Sequence, residues 1–215
     1  MATVENPTIE PVTKDVRGVA QPAPATTPPK RRRFTVDEYY KMAEVGILNR
    51  DERVELLDGE IIVMCPMGSR HSGHINRLNS LLVKALDPRC VVAVQLPVRI
   101  GKRSEPEPDL SLLKPRTDFY ESAHPGPDDV LFLIEVMDSS AKLDRGRKLR
   151  LYARHGIREV WRIDLKGGLI EIHRGPLGET YKEKRTVARG ETLSPEAFPD
   201  VVLEVNAILG EHETQ

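Results

Sequence analysis

The sequence predicts an α/β protein, a mixed β-sheet flanked by α-helices, and three observations carry that expectation. A nearly continuous apolar run, Val130-Leu131-Phe132-Leu133-Ile134-Glu135-Val136, reads as a central strand covered on both faces. Two stretches of helical period, at about 69–86 and 143–155, lie on either side of it. Shorter β-rich runs separated by Gly, Pro and Asp supply the remaining strands.

Residues 1–33 stand apart from this pattern. The run from Gln21 to Pro29 is rich in Pro, Ala and Thr and nearly lacks large apolar side chains, so burial cannot offset its ordering entropy. A tail is expected there, closed by the basic cluster Lys30-Arg31-Arg32-Arg33, which reads as a solvated junction more readily than as a phosphate-attracting arm. The folded domain is expected over 34–210, with 211–215 as a C-terminal tail.

Within the domain, Thr35 and Glu38 match a capping box, so a helix should run from about Val36 to Val45 and stop at Gly46. Asp58-Gly59 between 53–57 and 60–64 signals a hairpin with a tight primed turn. Ile75, Leu78, Leu82 and Leu86 give the second helix its apolar face. A β-rich stretch from Cys90 to Ile100 and a short strand from Asp109 to Leu113 follow. The segment 114–129, with three prolines and a glycine, is an excursion. After the central strand and the helix stopped by Gly156, strands are expected at 159–164, 169–173, 181–187 and 201–205.

The formal net charge is −1 with 30% charged residues, so any affinity for nucleic acid must come from a local patch. Lys102, Arg103 and Lys114 could form one; a solvated loop is an equal reading. The two cysteines, Cys65 and Cys90, lack the spacing of a disulfide framework or zinc site, and Cys90 is expected in a buried strand. No apolar run approaches the roughly 20 residues of a membrane span, and no signal-peptide core is visible at the N-terminus. A cytoplasmic protein with no membrane partner and no organic cofactor is the expectation.

The chemistry gathers around one acid. Glu135 ends the most apolar strand, where burial of an unpartnered carboxylate costs several kcal/mol. It must therefore be paired, protonated, on a metal, or capping the next helix. Asp109 follows Pro108 and opens a short strand; alone, Pro-Asp is only a turn signal. If the two strands are neighbours, two carboxylates converge and repel unless a cation lies between them, and oxygen-rich sites favour Mg2+ or Mn2+. Lys148 is the third signal. At about 100° per residue it lies about 40° from Tyr152 and about 60° from Leu151, on the apolar face of its helix. A lysine there needs an anion. Asp144, one turn earlier, is a competing partner, and Arg145 points roughly the same way.

The order Pro108-Asp109, Glu135-Val136 and a helix bearing Asp144 and Lys148 resembles the PD-(D/E)xK nuclease superfamily. More closely, the chain is similar to its Uma-two branch of restriction endonucleases. That resemblance runs from about Phe34 to Leu209 and includes Glu55-Leu56-Leu57-Asp58-Gly59-Glu60, His71, Ile134-Glu135-Val136 and the stretch from Tyr152 to Trp161. It implies a restriction-endonuclease-like core with Asp109 and Glu135 as ligands of Mg2+ or Mn2+ and the main-chain carbonyl of Val136 as a third. It also implies that Glu55 completes the site or binds a second ion. The superfamily lysine would stand at residue 137, which is Met137, so Lys148 is its relocated counterpart. Asp138 also departs from the Ser-Pro run common after the acid in this branch, a difference that touches only the local loop shape.

The implied activity is metal-dependent hydrolysis of DNA phosphodiester bonds, by a homodimer because duplex cutting serves two strands. The alternatives are a catalytically inactive nuclease-fold module that binds DNA or protein, and a structural ion pair with no metal. His71 and His74, three apart on one helix, are more readily solvent-facing or core-satisfied than metal ligands, although His71 could contact a phosphate. Trp161 is expected in the core.

Overall fold

A computed structural model of the protein describes residues 31–49, 51–137 and 145–210, within a compact unit from Arg32 onward. Helix α1 (Val36–Glu44) begins where the capping box places it. The Thr35 hydroxyl accepts from the Glu38 amide at 3.2 Å, and the Glu38 carboxylate accepts from the Thr35 amide at 2.9 Å. Strands β1 (Val54–Leu57) and β2 (Glu60–Val63) form the expected hairpin. Asp58 and Gly59 both take positive φ, +50° and +77°, as a primed turn demands. A β-carbon on Gly59 would also lie 2.9 Å from the carbonyl oxygen of Phe34, so the position admits glycine alone on two counts.

Helix α2 (Ser69–Leu86) buries Ile75, Leu78, Leu82 and Leu86, the stripe read from its period. Strand β3 is shorter than expected. It covers only Val91–Val94 and stops at Gln95, whose φ of +50° cannot continue a strand. Beyond it the chain folds back on itself, with amides of Val98 and Ile100 donating to carbonyls of Pro106 and Ser104. Val98 and Ile100 remain buried, which is why the β-like apolar spacing persists past the break.

Strands β4 (Leu110–Leu113), β5 (Val130–Met137), β6 (Glu159–Asp164), β7 (Leu169–Leu177) and β8 (Thr180–Ala188) complete a six-stranded sheet in the order β3-β4-β5-β6-β7-β8. Only β5 and β6 run parallel, so the sheet is mixed. Their crossover carries α3 (Arg145–Arg154), which ends before Gly156 at φ +78°; the helix start expected at 143 lies outside the described residues. Strand β7 runs past the expected His173 to Leu177.

The expected strand 201–205 is corrected. Only Leu203–Glu204 (β10) pairs, with Thr192–Leu193 (β9), and Val205 opens helix α4 (Val205–Leu209). Val205, Ile208 and Leu209 are buried at helical spacing, too short a stretch for its period to be read.

Both faces of the sheet are covered, which explains the continuous apolar run of β5. Ile134 and Val136 pack with α2, α4 and Trp161, while Leu133 packs with Leu151 and Tyr152 of α3. Among the described residues no helix is long and apolar enough to cross a membrane. Because Leu78 is fully buried between α2 and the sheet, Leu78→Ala should lower unfolding free energy by about 2–5 kcal/mol in urea denaturation. A loss below about 1 kcal/mol would contradict this packing.

Candidate active site

The antiparallel register Leu110↔Ile134 brings Asp109 and Glu135 to the same end of neighbouring strands. One Asp109 oxygen, Oδ2, accepts the Val136 amide proton at 2.7 Å. The other, Oδ1, lies 3.1 Å from His71 Nε2 on α2 and accepts from the Gln95 side-chain amide at 3.4 Å. The Glu135 side chain meets α3. There the Tyr152 hydroxyl donates to its Oε1 at 2.6 Å, and Lys148 Nζ lies 3.6 Å from the same oxygen.

Lys148 is anchored on its other side. Its ammonium donates to the main-chain carbonyl of Glu107 at 3.1 Å and lies 3.0 Å from Oε2 of Glu55. Glu55 faces inward from β1, is only 3% exposed, and also accepts the Glu107 amide proton at 3.0 Å. Four parts of the chain thus meet: the β1–β2 hairpin, the segment before β4, the end of β5, and α3. All four predicted side chains, Asp109, Glu135, Lys148 and Glu55, belong to this one cluster.

The electrostatics follow from three carboxylates sharing one ammonium. Burial pushes the Glu135 carboxyl up to about 7, and the charges of Asp109 and Glu55 push the same way against Lys148 and the Tyr152 hydroxyl. Burial works against the Lys148 charge, yet Glu135 and Glu55 outweigh it and hold the ammonium above the ordinary lysine range. Tyr152 is raised well above the usual phenol value by burial and by Glu135, so it remains a hydrogen-bond donor.

Among the described residues no three His, Cys, Asp or Glu side chains are grouped so as to hold a metal ion. Within the cluster, Lys148 engages Glu55 and faces Glu135. Magnesium needs less from a protein, one or two carboxylates with water and substrate oxygens completing its shell. Asp109 and Glu135, hard oxygen donors at one strand end, fit that requirement; Glu55 is committed to the ammonium.

The remaining sequence candidates disperse. The two ring nitrogens of His74 lie beside main-chain carbonyls, of Arg70 at 2.8 Å and Leu209 at 3.1 Å, away from the Asp109 carboxylate that His71 meets. Trp161 is fully buried against Phe132, with its indole N–H on Glu159 at 2.7 Å. Lys114 stands at the far end of β4 from Asp109. Cys90 is buried just ahead of β3, and Cys65 is exposed. Asp144, the proposed competitor for Lys148, and the side chain of Arg145 lie outside the described residues. Three contributors were missed from the sequence, and one of them, the main chain of Glu107 that meets Lys148 and Glu55, carries no signal in its residue type. Tyr152 stands four residues after Lys148 on the same helix face, a spacing that could have revealed it. Gln95 lies inside the β-rich stretch from Cys90 to Ile100, where only it and Arg99 are polar and nothing in the pattern marks it out.

A six-stranded mixed sheet flanked by helices gives the chain a nuclease-like fold. The chain belongs to the Uma2 family, described as "Putative restriction endonuclease", whose pattern matches residues 36–206. Among solved structures it is similar to a "putative nuclease belonging to DUF820" from Anabaena variabilis ATCC 29413. The two share 18% identity and a TM-score of 0.62, over 82% of this chain and 97% of the other. No curated protein matches the chain.

The raised Glu135 pKa has a consequence for stability. The metal-free folded chain retains this proton up to about pH 7, whereas the unfolded chain loses it near pH ~4.3, so the Glu135 contribution falls as pH rises between them. Without divalent cations, Glu135→Gln should therefore gain melting temperature relative to the parent protein on going from pH 5 to pH 8. A difference that does not change with pH would contradict the electrostatics above.

Proposed function

We propose that this protein is a divalent-cation-dependent DNA endonuclease that hydrolyses phosphodiester bonds. The observation that carries this reading is the posture of Lys148. Two of its donors go to Glu55 and the Glu107 carbonyl, and the approach to Glu135, at 3.6 Å, is too long for a good hydrogen bond. A third N–H is therefore available to a water or phosphate oxygen beside two carboxylates.

The roles follow from the geometry. Asp109 and Glu135 would hold Mg2+ or Mn2+. A strand residue directs its N–H and C=O to the same edge, so the Val136 carbonyl points to the side where its amide meets Asp109 and can join them. When bound, the cation supplies charge neutralisation at the phosphate and makes water more acidic. Lys148, held charged, cannot serve as a base; it orients the attacking water and balances charge developing on the phosphoryl oxygens. Tyr152 fixes the Glu135 carboxylate. Glu55 holds Lys148 in place rather than serving as a metal ligand.

Action on duplex DNA in the cytoplasm, by a homodimer serving both strands, completes the proposal. The competing reading, a nuclease-fold module without catalysis, draws on the Glu55–Lys148 ion pair, which satisfies the lysine without a metal.

Incubation of supercoiled plasmid with Mg2+ or Mn2+ separates the two. Nicking is expected from the parent protein and its loss with EDTA. Asp109→Ala, Glu135→Ala and Lys148→Ala should each slow it by about a hundredfold or more. Equal nicking by these variants would overturn the site, and no nicking with either metal would favour the inactive module.

A further inference from the structure

The chain spends an unfavourable backbone conformation on Gln95. Its φ of +50° lies in the left-handed region, which a side chain with a β-carbon rarely adopts and which Gln, unlike Asn or Gly, does not favour. The position lies just beyond the last β3–β4 pair, Val94↔Leu110, and so beside Asp109. Its amide donates to the Asp109 carbonyl at 3.1 Å, and its side chain turns back to the Asp109 carboxylate. Continued as a strand, residue 95 would lack this left-handed turn, so the conformation is what aims the side chain.

The contacts fix the amide's orientation. The Gln95 nitrogen lies 2.8 Å from Met67 Sδ and 3.4 Å from Asp109 Oδ1. Both neighbours are acceptors, so only the NH2 end of the side chain satisfies them together.

We infer that Gln95 is a positioning residue for Asp109, locking the carboxylate plane so that one oxygen edge stays presented to a divalent cation. A carboxylate offers about four lone-pair sites. The Val136 amide takes one on Oδ2, while Gln95 and the His71 ring face Oδ1, leaving one for a cation. The inference rests on the metal-dependent reading above and assigns Gln95 a part in cation affinity rather than in folding. Partners of this kind change metal affinity by about 10–100-fold when removed.

The backbone strain supplies a discriminating test. Gln95→Gly removes the donor and relieves the positive φ, whereas Gln95→Met removes the donor at similar length and keeps the strain. Mn2+ binding is read by electron paramagnetic resonance titration, and metal-free melting temperature by calorimetry, for both variants, the parent protein and Asp109→Ala. The expected result is an affinity loss of about tenfold or more in both Gln95 variants, with the metal-free glycine variant melting no lower than the parent. Parent-like Mn2+ affinity in both would overturn the inference, as would a fall in the glycine variant's melting temperature, which would mark a structural role. Failure of the parent itself to bind Mn2+, or parent-like binding by Asp109→Ala, would overturn the metal reading on which the inference stands.

Discussion

A lysine ammonium inside a folded chain is tolerated only where anions and carbonyls replace the water it gives up. Lys148 is such a group: its side chain is 15% exposed and is held by Glu55 and the Glu107 carbonyl. Withdrawing these charges from water costs several kcal/mol each, so the arrangement is stable only as a set. That set joins the β1–β2 hairpin, the segment leading to β4, and α3. The hairpin is not part of the six-stranded sheet, so its inward-facing Glu55 ties it by charge to the helix that covers that sheet. The same ammonium then faces Glu135. Its anchoring and its capacity for chemistry are one arrangement.

A comparison within the molecule separates a structural buried acid from the candidate functional one. Glu159 is fully buried at the start of β6, yet its oxygens accept from Trp161 at 2.7 Å, from Arg174 at 2.8 and 2.7 Å, and from the Glu196 amide at 2.6 Å. Every lone pair it needs to spend is spent within the fold. Glu135 receives one short hydrogen bond, from Tyr152, and a distant ammonium, while burial and, less strongly, two other carboxylates raise its pKa. A site left short of positive charge is a site with room for a cation. The family and fold are those of nucleases, and this deficit is the physical feature that a metal-dependent phosphodiesterase would use.

Much of this was legible in the sequence, and the rest was hidden for identifiable reasons. The capping box at Thr35, the Asp58-Gly59 turn and the α2 stripe are local signals, and each structure they imply is present. Glu135 was legible because its strand offers no apolar reason for a charge, and Lys148 because its helix face is apolar. Asp109 was not, since Pro-Asp is a common turn; it rested on the resemblance. The partnership of Glu55 with Lys148 could not be read, because residues 93 positions apart meet only through the fold. Gln95 ended a strand that looked continuous, for a single positive φ leaves no mark on residue type outside Gly and Asn. The helix opened by Val205 was too short to show a period.

The central claim is that Asp109 and Glu135 form one cation site beside an ammonium held apart by Glu55. It is tested most directly by anomalous diffraction from crystals soaked in Mn2+. The expected result is a peak bonded to carboxylate oxygens of both Asp109 and Glu135, with Lys148 Nζ outside the coordination shell and still paired with Glu55. A peak bonded to Glu55 with Lys148 displaced, or no peak at this strand end under saturating Mn2+, would contradict it.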